Sequence, residues 1–201
     1  SVPSYRCGLT GSIRPGSCLE RSCPNMIPYC VIIPAYNEAS HIRDVVTGAR
    51  THLPVLVVND GSTDDTATRA EEAGATLLDQ IPNQGKGAAL KKGFAAATRD
   101  IVIVQDADFE YDPSDYALMI DPILNDQADV VYGSRFKGNR PQRVLYFWHR
   151  VGNGLLTLMS NMFTNLNLTD METCYKLWRA DIIKSLDLKE FFTVAYQDVP
   201  G

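Results

Sequence analysis

Short apolar runs alternate along the chain with amphipathic stretches, and polar or turn-forming residues separate them. Five apolar runs have the length and composition of buried strands: Cys30–Pro34, Val55–Asn59, Ala75–Asp79, Ile101–Gln105 and Asp129–Tyr132. The segments between them predict four helices: Ser40 to about Thr51, Asp64–Gly74, Gly87–Thr98 and Ser114–Leu124. Ser40 is expected to cap the first helix and Gly74 to end the second. This order predicts an α/β fold, a Rossmann-like, mostly parallel sheet with helices on both faces.

The fourth apolar run ends in three acidic residues, Asp106, Asp108 and Glu110, at alternate positions. On an extended backbone their side chains would share one face. Like charges so close together repel one another unless a cation neutralises them. Hard oxygen ligands suit Mg²⁺ or Mn²⁺, so we expect a divalent metal here. A solvated acidic strand end is the alternative interpretation.

Two further loops follow predicted strands, where ligands bind in parallel sheets. In the sequence NDGSTDD, Gly61 allows a tight turn, and Asp60 can accept hydrogen bonds from a nucleobase or ribose. An Asx turn leading into an N-capped helix explains the same residues. In NQGKG, backbone N–H groups surround Lys86, which suits a phosphate or sugar. Its spacing is not that of a Walker loop. Together these loops favour a nucleotide-diphosphate site.

Six motifs occur in a characteristic order: VIIPAYNEA, VVNDGSTDDT, NQGKGAALKKGF, QDADFEYDP, VYGSRF and TDMETCYK. In this combination the chain resembles family 2 glycosyltransferases of GT-A fold, above all the polyprenyl-phosphate (dolichol-phosphate) hexosyltransferases. The resemblance covers about Ile27 to Lys189. It implies transfer of a hexose, with inversion, from a UDP-glucose or GDP-mannose type of donor to a polyprenyl or dolichyl phosphate.

The resemblance also implies roles for individual residues. Those that would hold the nucleotide-sugar are Pro34, Tyr36, Glu38, Asp60, Lys86 and Asp106. Asp106 and Asp108 would meet the metal and the diphosphate, with Glu110 as the third acidic position. Arg135 would bind the acceptor phosphate, and Asp170 would lie near the reacting centre. Because a phosphate acceptor is already an anion at neutral pH, Asp170 need not act as a strong base.

Composition narrows the choice of function class. With 201 residues and 45% hydrophobic content, the chain can bury one sizeable core. A net charge of −5 without a basic stripe argues against a nucleic-acid binder. No apolar stretch reaches the roughly 18–20 residues that span a bilayer. The cysteines, at positions matching no zinc pattern, are Cys7, Cys18, Cys23, Cys30 and Cys174. We therefore expect a cytoplasmic enzyme, peripheral at the cytoplasmic membrane face if its acceptor is a lipid.

The two ends of the chain and one internal segment differ from the rest. Residues 1–25 are expected to be a disordered or non-native extension, with Met26 as the natural start. Residues 26–201 would form the GT-A domain, truncated at its C-terminus. Arg143–Asn165 fits either an interfacial helix pair near a lipid acceptor or ordinary core-facing helices. Gly152 and Gly154 would divide it in two.

Three other functions stay open at this point. Truncation would leave an inactive nucleotide-sugar-binding module, and the acceptor could be a saccharide. A nucleotidyltransferase shares the sheet and the carboxylate-bound metal. The glycine- and arginine-rich loop expected for a nucleoside triphosphate is absent after Cys30–Pro34, which disfavours that class.

Overall fold

The computed structural model describes residues 29–108, 111–134 and 147–186. The strands are β1 (Tyr29–Ala35), β2 (Val55–Asn59), β3 (Thr76–Asp79), β4 (Ile101–Val104), β5 (Val130–Tyr132) and β6 (Lys176–Arg179). The helices are α1 (Ile42–Arg50), α2 (Thr66–Glu72), α3 (Lys86–Ala96), α4 (Tyr116–Leu124), α5 (Phe147–Thr164) and α6 (Ala180–Ser185). A single 3₁₀ turn, Pro113–Asp115, precedes α4. The five predicted strands and four predicted helices are all present, with ends shifted by at most two residues.

The strands form one sheet in the order β3-β2-β1-β4-β6-β5. Strands β1 to β4 are parallel, and β6 runs antiparallel to both β4 and β5. The predicted GT-A-like, mostly parallel arrangement is confirmed, with β6 as an addition that the apolar pattern did not predict. A four-residue strand, KLWR, shows too little alternation to be recognised by period alone.

Helices cover both faces of the sheet, as predicted. On one face, apolar side chains of α1 and α4, among them Val46 and Ile120, pack on alternate residues of β1, β2, β4 and β6. On the other, α3 and α6 pack through side chains such as Phe94 and Ile183. A Cβ on Gly93 of α3 would lie 2.7 Å from Cγ2 of Ile32. The missing side chain therefore lets α3 approach the sheet closely.

The predicted helix caps have different outcomes. Gly74 follows the end of α2 at φ +86°, and its N–H donates to the carbonyl of Glu71, as expected for a helix-terminating glycine. Ser40 is not the cap of α1. The N-cap is His41, without a side-chain capping bond, and the Ser40 hydroxyl lies 2.9 Å from Nδ1 of His41 instead.

Helix α5 is one continuous helix of 18 residues, so Gly152 and Gly154 do not divide it. Thr157 is buried among the α5 side chains that the structure describes. Eight large apolar side chains of α5 are exposed: Trp148, Val151, Leu155, Leu156, Leu158, Met159, Met162 and Phe163. The described side chains of α5 therefore favour the interfacial interpretation over the core-facing one. Within the described ranges, no helix has the length and apolar character needed to cross a membrane.

Candidate active site

The sheet opens at the carboxyl ends of β1 and β4. Pairing of these strands ends at Ile32 and Val104, after which the N–H of Gln105 donates to the carbonyl of Ile32. Pro34 lies two residues further along β1, and its backbone nitrogen also faces β4. Because the pairing with β4 has already ended there, the missing N–H of proline costs no hydrogen bond between the strands. Strand order reverses at this point, because β1 leads to β2 on one side and borders β4 on the other. Ligands bind at such switch points in open α/β sheets.

A cleft of about 760 Å³ lies at this point. Its walls include seven of the residues that the sequence singled out, namely Pro34, Tyr36, Glu38, Asp60, Lys86, Asp106 and Asp108. They come from four separate segments, which the parallel sheet gathers at one edge. Asn83, Gln84 and Gly85 also line the cleft.

Asp60 organises the loop before α3. Its side chain is 2% exposed, and one carboxylate oxygen accepts bonds from the Gln80 amide at 2.7 Å and the Gln84 N–H at 2.9 Å. The other oxygen accepts from the N–H of Gly85 at 2.8 Å. Gly85 has φ +88°, a conformation that suits glycine. Since a carboxylate has about four lone-pair sites, one acceptor position remains for a ligand.

The loops after β1 and β2 bind each other. The N–H of Thr63 donates to Oδ1 of Asn37 at 2.8 Å, and the N–H of Glu38 donates to Oγ1 of Thr66 at 2.8 Å. Asp64 accepts from the N–H of Ala39 at 3.2 Å and from the N–H of Thr66 at 3.0 Å, the latter closing the predicted Asx turn. The Thr66 hydroxyl bond is the main cause that lowers the pKa of Asp64. These bonds fix the backbone that carries Tyr36 and Glu38.

Asp106 and Asp108 follow β4 in a bend rather than within the strand. Both are half-buried and border the cleft, with Ala107 buried between them. Glu110 lies outside the described residues, so the three-carboxylate arrangement stays a prediction. In the described part of the chain, no group of three acidic, histidine or cysteine side chains converges on one point. Two carboxylates beside an open cleft nevertheless fit a hard cation that keeps positions for substrate phosphates.

Lys86 already supplies a positive charge to this acidic pair. Its Nζ lies 2.5 Å from Oδ1 of Asp106 and 3.0 Å from Sγ of Cys174. Burial alone would lower the pKa of Lys86, but the charge of Asp106 and its hydrogen bond outweigh burial, and the pKa lies above its ordinary value. Burial and the charge of Asp106 raise the pKa of Cys174 despite the opposing charge of Lys86. At neutral pH Lys86 is therefore an ammonium and Cys174 a neutral thiol.

Strand β6 carries the TDMETCYK motif to the same edge, because it runs antiparallel to β4 and begins where β4 ends. The N–H of Cys174 donates to the Tyr111 hydroxyl at 3.0 Å, and the N–H of Met171 donates to Oγ1 of Thr157 at 3.2 Å. Asp170 is 2% exposed and does not line the cleft. Its catalytic role therefore stays a prediction, as does that of Arg135, which lies outside the described residues.

Three residues that the structure connects to the site had no role in the sequence-based hypotheses. The side-chain amide of Gln80 donates a hydrogen bond to Asp60, and the thiol sulfur of Cys174 accepts one from Lys86. Lys176, the first residue of β6, lies with Nζ 4.8 Å from the ring centroid of Tyr132, and burial lowers its pKa. Cys174 and Lys176 lie within the motif TDMETCYK, and this position is the local sequence signal that could have identified them as site residues.

Comparison with known proteins extends this picture. Residues 30–186 match the profile of glycosyl transferase family 2. Protein RfbJ of Shigella flexneri is 39% identical over 52% of this chain and 83% of its own length. The undecaprenyl-phosphate mannosyltransferase of Micrococcus luteus is 29% identical over 82% of this chain and 72% of its own. A UDP-N-acetylglucosamine–dolichyl-phosphate N-acetylglucosaminyltransferase of Methanococcus voltae is 28% identical over 78% of this chain and 71% of its own.

A solved structure shares the fold. Glucosyl-3-phosphoglycerate synthase from Mycobacterium tuberculosis, crystallised with Mn²⁺, UDP and phosphoglyceric acid, matches with a TM-score of 0.63 at 24% identity. The match covers 79% of this chain and 57% of that one, so this chain spans less than two thirds of the solved structure. The family profile, by contrast, covers nearly all of the region that the structure describes. The chain belongs to glycosyl transferase family 2 and is a glycosyltransferase with a GT-A-like fold.

Proposed function

We propose that this glycosyltransferase transfers a hexose, with inversion, from a nucleotide-diphosphate sugar to a polyprenyl or dolichyl phosphate. The observation that carries the proposal is the cleft at the switch point, where seven predicted donor and metal residues meet. Relatives whose names specify undecaprenyl-phosphate and dolichyl-phosphate transfer support the choice of acceptor.

The nucleoside would lie between the loops after β1 and β2. The Tyr36 side chain is 49% exposed at the cleft, which leaves its ring accessible to a base or ribose. Asp60 retains one acceptor site for an N–H or O–H group of the nucleoside. Glu38, half-buried on the same wall, offers a further carboxylate for ribose hydroxyls.

The diphosphate would lie between the start of α3 and the acidic pair. The loop Asn83–Gly85 leads into Lys86 at the first turn of α3, where helix N–H groups favour an anion. Asp106 and Asp108 would hold Mg²⁺ or Mn²⁺, which when bound supplies positive charge to the departing nucleoside diphosphate. The Mn²⁺ in the solved structure of similar fold supports the use of a divalent metal.

The proposed reaction is one in-line displacement. An oxygen of the acceptor phosphate forms a bond to the anomeric carbon, and the bond from that carbon to the donor's β-phosphate oxygen breaks. The electron pair leaves with the nucleoside diphosphate, and because the acceptor oxygen is already anionic, no proton has to be removed. Arg135 would bind the acceptor phosphate through its planar fork, and Asp170 would orient the sugar or the acceptor.

A lipid acceptor also gives a reason for the apolar surface of α5. The exposed side chains of Leu155, Leu158, Met162 and Phe163 lie on a helix tied to the TDMETCYK segment through Thr157. Such a surface suits the interfacial layer of a membrane. We therefore propose peripheral association with a membrane at which the lipid phosphate is presented.

The test is a product assay with radiolabelled UDP-glucose and GDP-mannose, each with Mn²⁺ or EDTA. The acceptors are a polyprenyl phosphate, a free oligosaccharide and buffer alone. Metal-dependent label in the lipid phase, released as the inverted anomer, is the expected result. Label in the oligosaccharide would identify a saccharide acceptor, and donor binding without transfer would identify a binding module. Either outcome would overturn the proposal.

A further inference from the structure

The ammonium of Lys86 lies beside Asp106, one of the two carboxylates that would hold the metal. Nζ lies 2.5 Å from Oδ1 of Asp106, and the two side chains are 26% and 21% exposed. A divalent cation bound to this carboxylate oxygen would lie beside the ammonium, and the repulsion between the two cations would drive the ammonium away. Lys86 is therefore a competitor of the metal as well as a candidate partner of the diphosphate.

The thiol of Cys174 provides a second contact for the same ammonium. Sγ lies 3.0 Å from Nζ of Lys86. Strand pairing fixes this position, because β6 is hydrogen-bonded between β4 and β5 and the Cys174 N–H donates to Tyr111. When Asp106 releases the ammonium, Cys174 can keep it beside the cleft.

We propose that Lys86 is the resident counter-ion of Asp106 and is exchanged for the divalent metal when the donor binds. The metal then occupies Asp106, and the ammonium moves to the donor's diphosphate while Cys174 keeps it in the site. This inference rests on the proposed function for the identity of the donor.

The exchange has a thermodynamic consequence. Metal alone must break the ion pair of Lys86 and Asp106, and the metal itself supplies no anion to the ammonium. When a diphosphate is present it takes the ammonium, so the competitor is removed and the metal binds more tightly. By linkage, the metal raises the affinity for the diphosphate by the same factor. Part of the coupling between metal and nucleotide should therefore depend on Lys86.

The experiment measures Mn²⁺ affinity by electron paramagnetic resonance, with and without UDP or GDP, in the wild-type chain and three variants. Lys86→Met removes the competitor, so Mn²⁺ alone should bind about tenfold more tightly, the effect of one charge-assisted contact. Lys86→Arg keeps a cation and should bind Mn²⁺ nearly as the wild type does. Lys91→Met, which removes an exposed lysine from the same helix, is the matched control and should change neither affinity.

Cys174 is tested through the same readout. Cys174→Ala should lower the factor by which nucleotide raises Mn²⁺ affinity, because the ammonium loses its second contact during the exchange. Cys174→Ser keeps a hydrogen-bond acceptor and should restore most of that factor. A purely structural role of the thiol would change the melting temperature of both variants without this difference in coupling.

The outcomes separate the inference from the proposed function. Unchanged or weaker Mn²⁺ binding in Lys86→Met, in a variant with wild-type circular dichroism, would overturn the exchange even if nucleotide and metal bind normally. If Lys86→Met does not fold, the test rests on Cys174→Ala. The exchange is then overturned if nucleotide raises the Mn²⁺ affinity of Cys174→Ala by the same factor as in the wild type. Failure of the wild type to bind any nucleotide would refute the proposed donor, while the measurement with Mn²⁺ alone still decides whether Lys86 competes.

Discussion

Asp60→Asn tests how the cleft is held in shape. Both carboxylate oxygens of Asp60 accept bonds from groups that can only donate: Gln84 N–H to one, Gly85 N–H to the other. An asparagine has one oxygen and one NH₂ group. Whichever way the amide turns, its NH₂ group faces one of these two N–H groups, and that N–H loses its bond to residue 60. The Gly85 N–H would keep only its longer bond to Oδ1 of Asn83, at 3.1 Å.

The magnitude follows from that loss. Asp60 is 2% exposed, so water does not replace the missing acceptor easily. A hydrogen bond to a charged group contributes roughly 1.5–3 kcal/mol. In a chain of this size, each kcal/mol shifts the melting temperature by roughly 2–4 °C, so we expect a decrease of about 3–12 °C. Nucleotide affinity should fall as well, because the loop Asn83–Gly85 loses its anchor.

Circular dichroism during heating measures the melting temperature. Calorimetric titration with UDP or GDP in the presence of Mn²⁺ measures the nucleotide affinity. Asp121→Asn is the matched control, since it makes the same chemical change on an exposed position of α4. A melting temperature and a nucleotide affinity within error of the control would refute the reasoning. They would mean that the three bonds to Asp60 do not set the shape of the cleft.

Four further outcomes are expected. Asp108→Asn should abolish metal-dependent UDP or GDP binding with the fold intact, measured by calorimetry with and without Mn²⁺; binding that survives would contradict the metal role. Gly93→Ala should reduce the free energy of unfolding in urea by about 1–3 kcal/mol, because its Cβ would lie 2.7 Å from a methyl group of Ile32; an unchanged midpoint would count against close packing of α3. Removal of residues 1–25 should leave the melting temperature unchanged, since the family resemblance begins after them, and a large decrease would show that they pack on the domain. Arg135→Lys should slow turnover with a polyprenyl phosphate by about ten- to a hundredfold at unchanged donor affinity, and a collapse of donor affinity instead would assign Arg135 to the diphosphate.

Five of the six strands, their order along the chain and seven of the residues that line the cleft could be predicted from the residue pattern alone. Runs such as Ile101–Val104 are apolar at every position, which is what a strand buried on both faces requires. Once the strands are parallel, their carboxyl ends must lie at one edge. That the loops containing Tyr36, Asp60 and Asp106 lie close together can therefore be predicted before any individual contact is known.

The hydrogen-bond and ion-pair partners of those side chains could be identified only from the folded chain. The carboxylate of Asp60 accepts hydrogen bonds from Gln80, Gln84 and Gly85. The ammonium of Lys86 forms an ion pair with Asp106. Local spacing specifies which face a side chain is on, but not which group from another segment reaches it.

The same limit explains β6 and Cys174. Four residues carry too little periodicity to predict a strand, and the insertion of β6 between β4 and β5 depends on ladder bonds to both neighbours. That pairing brings Cys174 within 3.0 Å of Lys86, 88 positions away in the sequence. Contacts at such separation are fixed by strand order and register, which result from packing of the whole chain and are not present in any single segment.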